Sequence, residues 1–241
     1  MRHLGIRLRK LAFCIARPAT WKYLRKGIAP TIDHRDPLGN LQFATVLDVG
    51  ANRGQFALFS LTTWPSAKLI SFEPLPGPAG LLRQTFGDRI EVVQAALSDE
   101  IGQAEMYVTE QDDSSSLLPI GTNQEQISGT KVASVETSVP LVTLDSVLSE
   151  RALVGPMLLK IDVQGNELKA LRGAIASLSK IDMIYCECSY RELYVGQALA
   201  AEIIDFLGQH GFEIAGVFNQ VSTLNLGPVQ ADFLFRPSGR P

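Results

Sequence analysis

Asp48, Gly50, Asn52 and Gly54 fall in the run TVLDVGANRG, residues 45–54, where an acid ends an apolar stretch and a glycine turn follows. An acid there repels phosphate and suits a ligand with a cationic end, such as the amino and sulfonium groups of S-adenosylmethionine. The order departs from the G-x-G-x-x-G of dinucleotide sites at Asn52, where a second glycine would let a pyrophosphate touch the main chain. A further acid, Glu73, closes the run KLISFEP, 23 residues after Gly50. In that place it can accept both hydroxyls of a ribose. Ser98 and Asp99 follow IEVVQAAL and would end a third strand within reach of an adenine ring. These seven residues form a candidate cofactor set.

A second group carries candidate chemistry. In MLLKIDVQGNELKALRGAIASL, strand alternation puts Leu158, Lys160 and Asp162 on one face, and in DMIYCECS it does so for Tyr185, Glu187 and Ser189. If the two strands are neighbours, Asp162 and Glu187 converge at one rim. Paired carboxylates can act as general base for a hydroxyl or ligate a hard cation such as Mg²⁺. Lys160 would be their counter-ion or orient the substrate. The competing reading is a buried ion network that anchors loops. His34, in the breaker-rich segment GIAPTIDHRDPLGN, is either a lid over the cleft or a solvated loop residue. Cys186 and Cys188 share a strand face and read as core thiols. No Ser-His-Asp or Cys-His arrangement is evident.

The elements that must position these residues alternate strand and helix. The strand at 45–49 leads into a helix over 53–63. A strand over 68–73, a Pro-rich turn, a helix over 79–86 and a strand over 90–97 follow. Short connections between them imply a doubly wound, mostly parallel α/β sheet, with its ligand cleft at the carboxyl ends of the strands. From Gly102 to Val147 the rhythm changes to an antiparallel or loop-like insertion, and its Asp-Asp-Ser-Ser-Ser run could hydrogen-bond a polyhydroxylated substrate. The strand–turn–helix design then returns at residues 157–178. YRELY, 190–194, reads as an exposed lid, 197–209 as an amphipathic helix, and FEIAGVFN with ADFLF as a closing hairpin.

Composition bounds the rest. A chain of 241 residues that is 46% hydrophobic and 20% charged is an ordinary globular protein. Residues 1–26 hold eight of the 22 basic residues and no acid. Residues 1–40 therefore read as a basic arm and linker, and 41–241 as the catalytic domain. Leu4, Leu8, Leu11 and Ile15 recur at helical spacing, which fits a helix packed on the domain or one lying on anionic lipid. Aromatic and basic residues are not interleaved as a nucleic-acid platform requires. Three cysteines without C-x-x-C spacing fit a reducing cytosol, with the arm reaching the inner membrane surface.

VLDVGANRGQF, SFEP, VTLDS, LLKIDVQGNELKALRGA, YCEC and ADFLF together resemble the FkbM-type S-adenosylmethionine-dependent methyltransferases over residues 45–235. The resemblance implies a seven-stranded class I methyltransferase sheet and O-methylation, often of sugars in glycans, glycolipids or natural products. It matches Asp48, Gly50 and Glu73 to the cofactor motifs and Asp162 with Glu167 to the later motif. The family usually has Glu where this chain has Gln164, which weakens a metal-based reading. Two other classes stay open. An NAD-dependent sugar oxidoreductase would share the sheet but want G-x-G-x-x-G and a Tyr-x-x-x-Lys pair. A non-catalytic module could bind the cofactor and dock through the arm on a membrane or a glycosyltransferase.

Overall fold

The computed structural model describes residues 21–29, 31–109, 114–128 and 135–239. Leu4, Leu8, Leu11 and Ile15 of the basic arm and both acids of the Asp-Asp-Ser-Ser-Ser run lie outside the described residues. Among the described residues two short helices come first, α1 (Trp21–Leu24) and α2 (Arg35–Leu38). Strands β1 (Thr45–Val49), β2 (Lys68–Phe72) and β3 (Glu91–Val93) follow, with helices α3 (Gln55–Thr63) and α4 (Pro76–Phe86) between them. The start of α4, Pro-Gly-Pro, lengthens it beyond the expected 79–86, since proline in the first turn forfeits no intrahelical bond.

The expected strand over 90–97 is split. Ala95 N–H donates back to Val93 C=O, a tight turn that takes the chain out of the first sheet. Residues Ala96–Leu97 (β4) pair instead with β6 (Val135–Val142), which also pairs antiparallel with β5 (Gly102–Val108). The insertion is thus a separate three-stranded sheet, ordered β4-β6-β5, with helix α5 (Thr122–Ser128) between β5 and β6. Helix α6 (Leu144–Leu148) leads back to β7 (Met157–Ile161), α7 (Glu167–Arg172), β8 (Met183–Ser189) and α8 (Ala200–Gln209). The long hairpin β9 (Phe212–Thr223) and β10 (Gly227–Pro237) ends the chain. The first sheet has the order β3-β2-β1-β7-β8-β10-β9, parallel except where β10 meets β8 and β9.

Both faces of this sheet are covered, which is why β1 and β7 read as nearly continuous apolar runs. Alternation along each strand feeds two cores. Leu47, Ile70, Leu159 and Ile184 point into one with Leu171, Ile203 and Leu207. Val46, Leu69, Leu158 and Tyr185 point into the other with Phe56, Leu82 and Trp64. Truncating a leucine in either core to alanine costs about 2–5 kcal/mol. Ile28 and Leu38 are fully buried in the second core. The segment read as a linker is therefore packed into the sheet domain. No helix among the described residues is long and apolar enough to cross a membrane.

Candidate active site

The strand order reverses between β1 and β7, whose carboxyl ends open a cleft that is continuous with solvent. Two glycines shape it. Gly50 has φ +77°, and a Cβ there would stand 1.8 Å from the carbonyl oxygen of Asp162. The close approach it permits is thus to the end of β7. Gly54, at φ +95°, lets the start of α3 pack on Phe86 and Leu82.

Glu73 lines the cleft and is 5% exposed. Each of its oxygens accepts one backbone N–H, from Asn52 and from Leu75, both at 2.9 Å. Each therefore keeps lone-pair capacity for a second donor. Burial pushes its carboxyl up to about 7, against the pull of those two bonds. Asn52 lines the same end at φ +46°, and its buried Oδ1 has no hydrogen-bond partner among the described residues. A carboxylate that can take two hydroxyls and a buried acceptor awaiting a donor fit a nucleoside that also bears an amino group.

Asp48 does not line the cleft. Strand register sets it beside Lys160, and its fully buried carboxylate lies 3.3 Å from Nζ as an ion pair. Lys160 Nζ also donates to the carbonyls of Val49 and Gly50, at 3.2 and 3.0 Å. Burial works against the ammonium, but Asp48 and Asp162 outweigh it and keep the lysine charged. For Asp48, burial pushes the carboxyl upward and Lys160 pulls it back. Ser98 is buried and Asp99 accepts its hydroxyl proton; neither faces the cleft. That wall is formed by Ala95, Ala96, Leu97, Met106 and Leu117, which the sequence did not mark because the second sheet supplies part of it.

Asp162 lines the cleft with 39% of its side chain exposed, 3.9 Å from Lys160. Glu187 does not reach the cleft. The amide of Gln164 stands between the two acids, donating to Asp162 Oδ1 at 2.7 Å and to Glu187 Oε2 at 3.4 Å. Gln230 donates to the other oxygen of Glu187 at 2.6 Å. Burial first, then the carboxylates of Asp162 and Asp232, push Glu187 well above the usual range. An amide nitrogen fills the gap that the Mg²⁺ reading required, and among the described residues no group of three or more His, Cys, Asp or Glu gathers to hold a metal.

The turn carrying Gln164 is held from several sides. Glu167 accepts the N–H groups of Val163 and Gly165. Ser116 donates to the Gln164 carbonyl. Tyr194 is almost wholly buried and donates its hydroxyl to Gln164 Oε1 at 2.7 Å. The expected lid at YRELY is thus pinned inward at its last residue, where Leu193, Tyr194 and Val229 form a small core.

His34 lines the cleft as well, with its ring edge-on to Phe56, Phe59 and Tyr185. It is therefore neither a solvated loop residue nor distant from the site. Its neighbours Tyr185, Asn219 and Asp232 come from β8, β9 and β10.

The chain is similar in sequence to known methyltransferases. The methyltransferase FkbM domain model matches residues 48–214. The 2-O-methyltransferase NoeI of Sinorhizobium fredii is 30% identical over 220 residues, covering 88% of this chain and 87% of that protein. The 31-O-demethyl-FK506 methyltransferase FkbM of Streptomyces tacrolimicus is 29% identical over 197 residues, covering 70% and 72%. Among solved structures, TrmK of M. capricolum in complex with S-adenosylhomocysteine aligns with a TM-score of 0.49 at 8% identity, over 84% of this chain and 65% of that one.

Proposed function

The chain belongs to the FkbM methyltransferase domain family and is an S-adenosylmethionine-dependent methyltransferase; we propose that its acceptor is a hydroxyl of a sugar-containing molecule. The observation that carries this reading is the pairing within one cleft of Glu73 and Asn52 at one end with the accessible carboxylate of Asp162 at the other. Glu73 and Asn52 would hold the ribose and amino groups of the methyl donor. The Asp48–Lys160 pair supports them from beneath by fixing the carbonyls of Val49 and Gly50.

At the other end, Asp162 accepts a hydrogen bond from a hydroxyl of the acceptor adjacent to the reacting one and so aims the reacting oxygen. Gln164 fixes that carboxylate, and Glu187 holds the Gln164 amide from behind. The donor's sulfonium already activates the methyl group, so alignment of two bound partners is the main task left to the protein. Thr31, Gln55 and Ser115 add polar groups beside the apolar wall of Phe56, Leu75, Met106 and Leu117. A sugar presents such a mixture of hydroxyls and an apolar ring face. The O-methyltransferase names of the two relatives agree with hydroxyl methylation.

Calorimetry with S-adenosylhomocysteine and, separately, NAD⁺ tests the donor end. Binding of the first alone, weakened at least about tenfold by Glu73→Ala, is expected; binding of NAD⁺ instead would overturn the reading. Supplying a pool of methyl glycosides and a pool of simple alcohols tests the acceptor. Methylation of glycosides, lost in Asp162→Asn without loss of S-adenosylhomocysteine binding, is the expected result.

A further inference from the structure

We propose that His34 is the base that takes the proton from the acceptor hydroxyl, and that Tyr185 and Asp232 set the tautomer in which it does so. This rests on the reading of the cleft as the site of methyl transfer.

His34 and Lys160 meet at one phenyl ring, and Asp162 lies 3.9 Å from Lys160. The His34 ring lies 5.1 Å from the centroid of Phe56, and Lys160 Nζ lies 5.6 Å from the same point. All four residues line the cleft. Strand register brings the supporting groups to this edge, with Tyr185 beside Lys160 and Asp232 opposite Glu187.

The direction of each hydrogen bond can be assigned. The hydroxyl of Tyr185 has one proton, and it points to Asp232 Oδ2 at 2.6 Å. Burial first, and then the charge of Asp232, push the tyrosine far above its ordinary pKa, so the phenol keeps that proton. Its oxygen can therefore only accept from His34 Nδ1, which stands 3.1 Å away. Asn219 Nδ2 donates to Asp232 Oδ2 at 2.8 Å and reaches the Tyr185 oxygen at 3.2 Å. With the proton on Nδ1, the neutral ring carries its lone pair on Nε2. This is the logic of an oriented base, here with a tyrosine placed between acid and imidazole.

In the reaction the hydroxyl proton passes to Nε2 as the acceptor oxygen bonds to the methyl carbon. The methyl–sulfur bond breaks and its electron pair stays on sulfur. The resulting imidazolium lies 4.0 Å from Asp232 Oδ2, with the tyrosine hydroxyl joining them. An imidazole is better matched than an ordinary carboxylate to a weakly acidic hydroxyl at neutral pH. Asp162 then orients the oxygen from which His34 removes the proton.

The test uses the full chain labelled with ¹⁵N-histidine, with His34→Asn identifying the His34 signals. At neutral pH the proton is expected on Nδ1, and Tyr185→Phe is expected to shift the ring severalfold toward the Nε2–H form. A wild-type His34 protonated on Nε2, or a tautomer ratio unmoved by Tyr185→Phe, would overturn the proposal without any acceptor being known. In parallel, S-adenosylhomocysteine formation is followed with a pool of methyl glycosides. His34→Asn should lower it by about a hundredfold or more while the Kd for S-adenosylhomocysteine stays within about twofold. Undiminished turnover would also overturn it. If the wild type methylates none of the glycosides, the tautomer result decides alone. Failure of the wild type to bind S-adenosylhomocysteine would count separately, against the reading of the cleft.

Discussion

The two ends of the cleft are built on different plans. At the β1–β2 end, Glu73 is held by N–H groups at Asn52 and Leu75, on the two turns that follow those strands. At the β7–β10 end, polar side chains from widely separated parts of the chain hold one another. Gln164 bridges Asp162 and Glu187, Tyr194 caps Gln164, and Tyr185 ties His34 to Asp232. Backbone donors survive most substitutions, whereas a network of side chains loses two partners when one is removed. The donor end should therefore tolerate change, and the acceptor end should respond to it steeply.

Lys160 joins the two plans, so its loss is the strongest challenge to the contrast. Lys160→Met strands the buried Asp48 carboxylate and is expected to cost about 3–5 kcal/mol in denaturant unfolding. Asp48→Asn combined with Lys160→Met should restore most of that. If the single variant unfolds like the wild type, the two ends are not linked through this pair.

Gln164→Glu probes the acceptor end alone. Replacing the donating amide by a third carboxylate between Asp162 and Glu187 is expected to destabilise by about 1–3 kcal/mol. Millimolar Mg²⁺ should raise the unfolding midpoint of the variant and leave that of the wild type in place. No loss of stability would mean that the bridge contributes little.

Glu73 gives the smallest effect and isolates the donor end. Its carboxyl is raised to about 7 in the folded protein from an ordinary 4.5. The folded state thus holds an extra proton in that window, and this group's contribution to stability is full below 4.5 and lost as pH rises toward 7. Ribose hydroxyls prefer the ionised form, so S-adenosylhomocysteine should bind about tenfold more tightly at pH 8 than at pH 6. Glu73→Gln should bind weakly with no such slope, and a slope that survives the substitution would assign the titration to another group.

The same contrast explains what the sequence made legible. Gly50, Asn52 and Glu73 are spaced by one strand–helix–strand unit, and local chemistry governs how such a unit folds. The pairing of Asp162 with Glu187 followed from alternation along two adjacent strands, yet the side chain that separates them, Gln164, was visible only as a departure from a pattern. The strand-end position of Asp48 points to the ligand and does not reveal a lysine in register on the next strand. His34 carried no local signal, since its partners lie about 150 and 200 residues away. The split of the 90–97 strand was likewise hidden, because a turn at Gln94 decides it and neither glycine nor proline marks the place.

Between Gly50 and the carbonyl of Asp162 there is room for a hydrogen atom and no more. A library that randomises residues 48–54 to change the donor would, at position 50, also displace the residue proposed to aim the acceptor. Donor and acceptor preference are therefore coupled in design space through one missing carbon, and variants at this position should fail together in both selections.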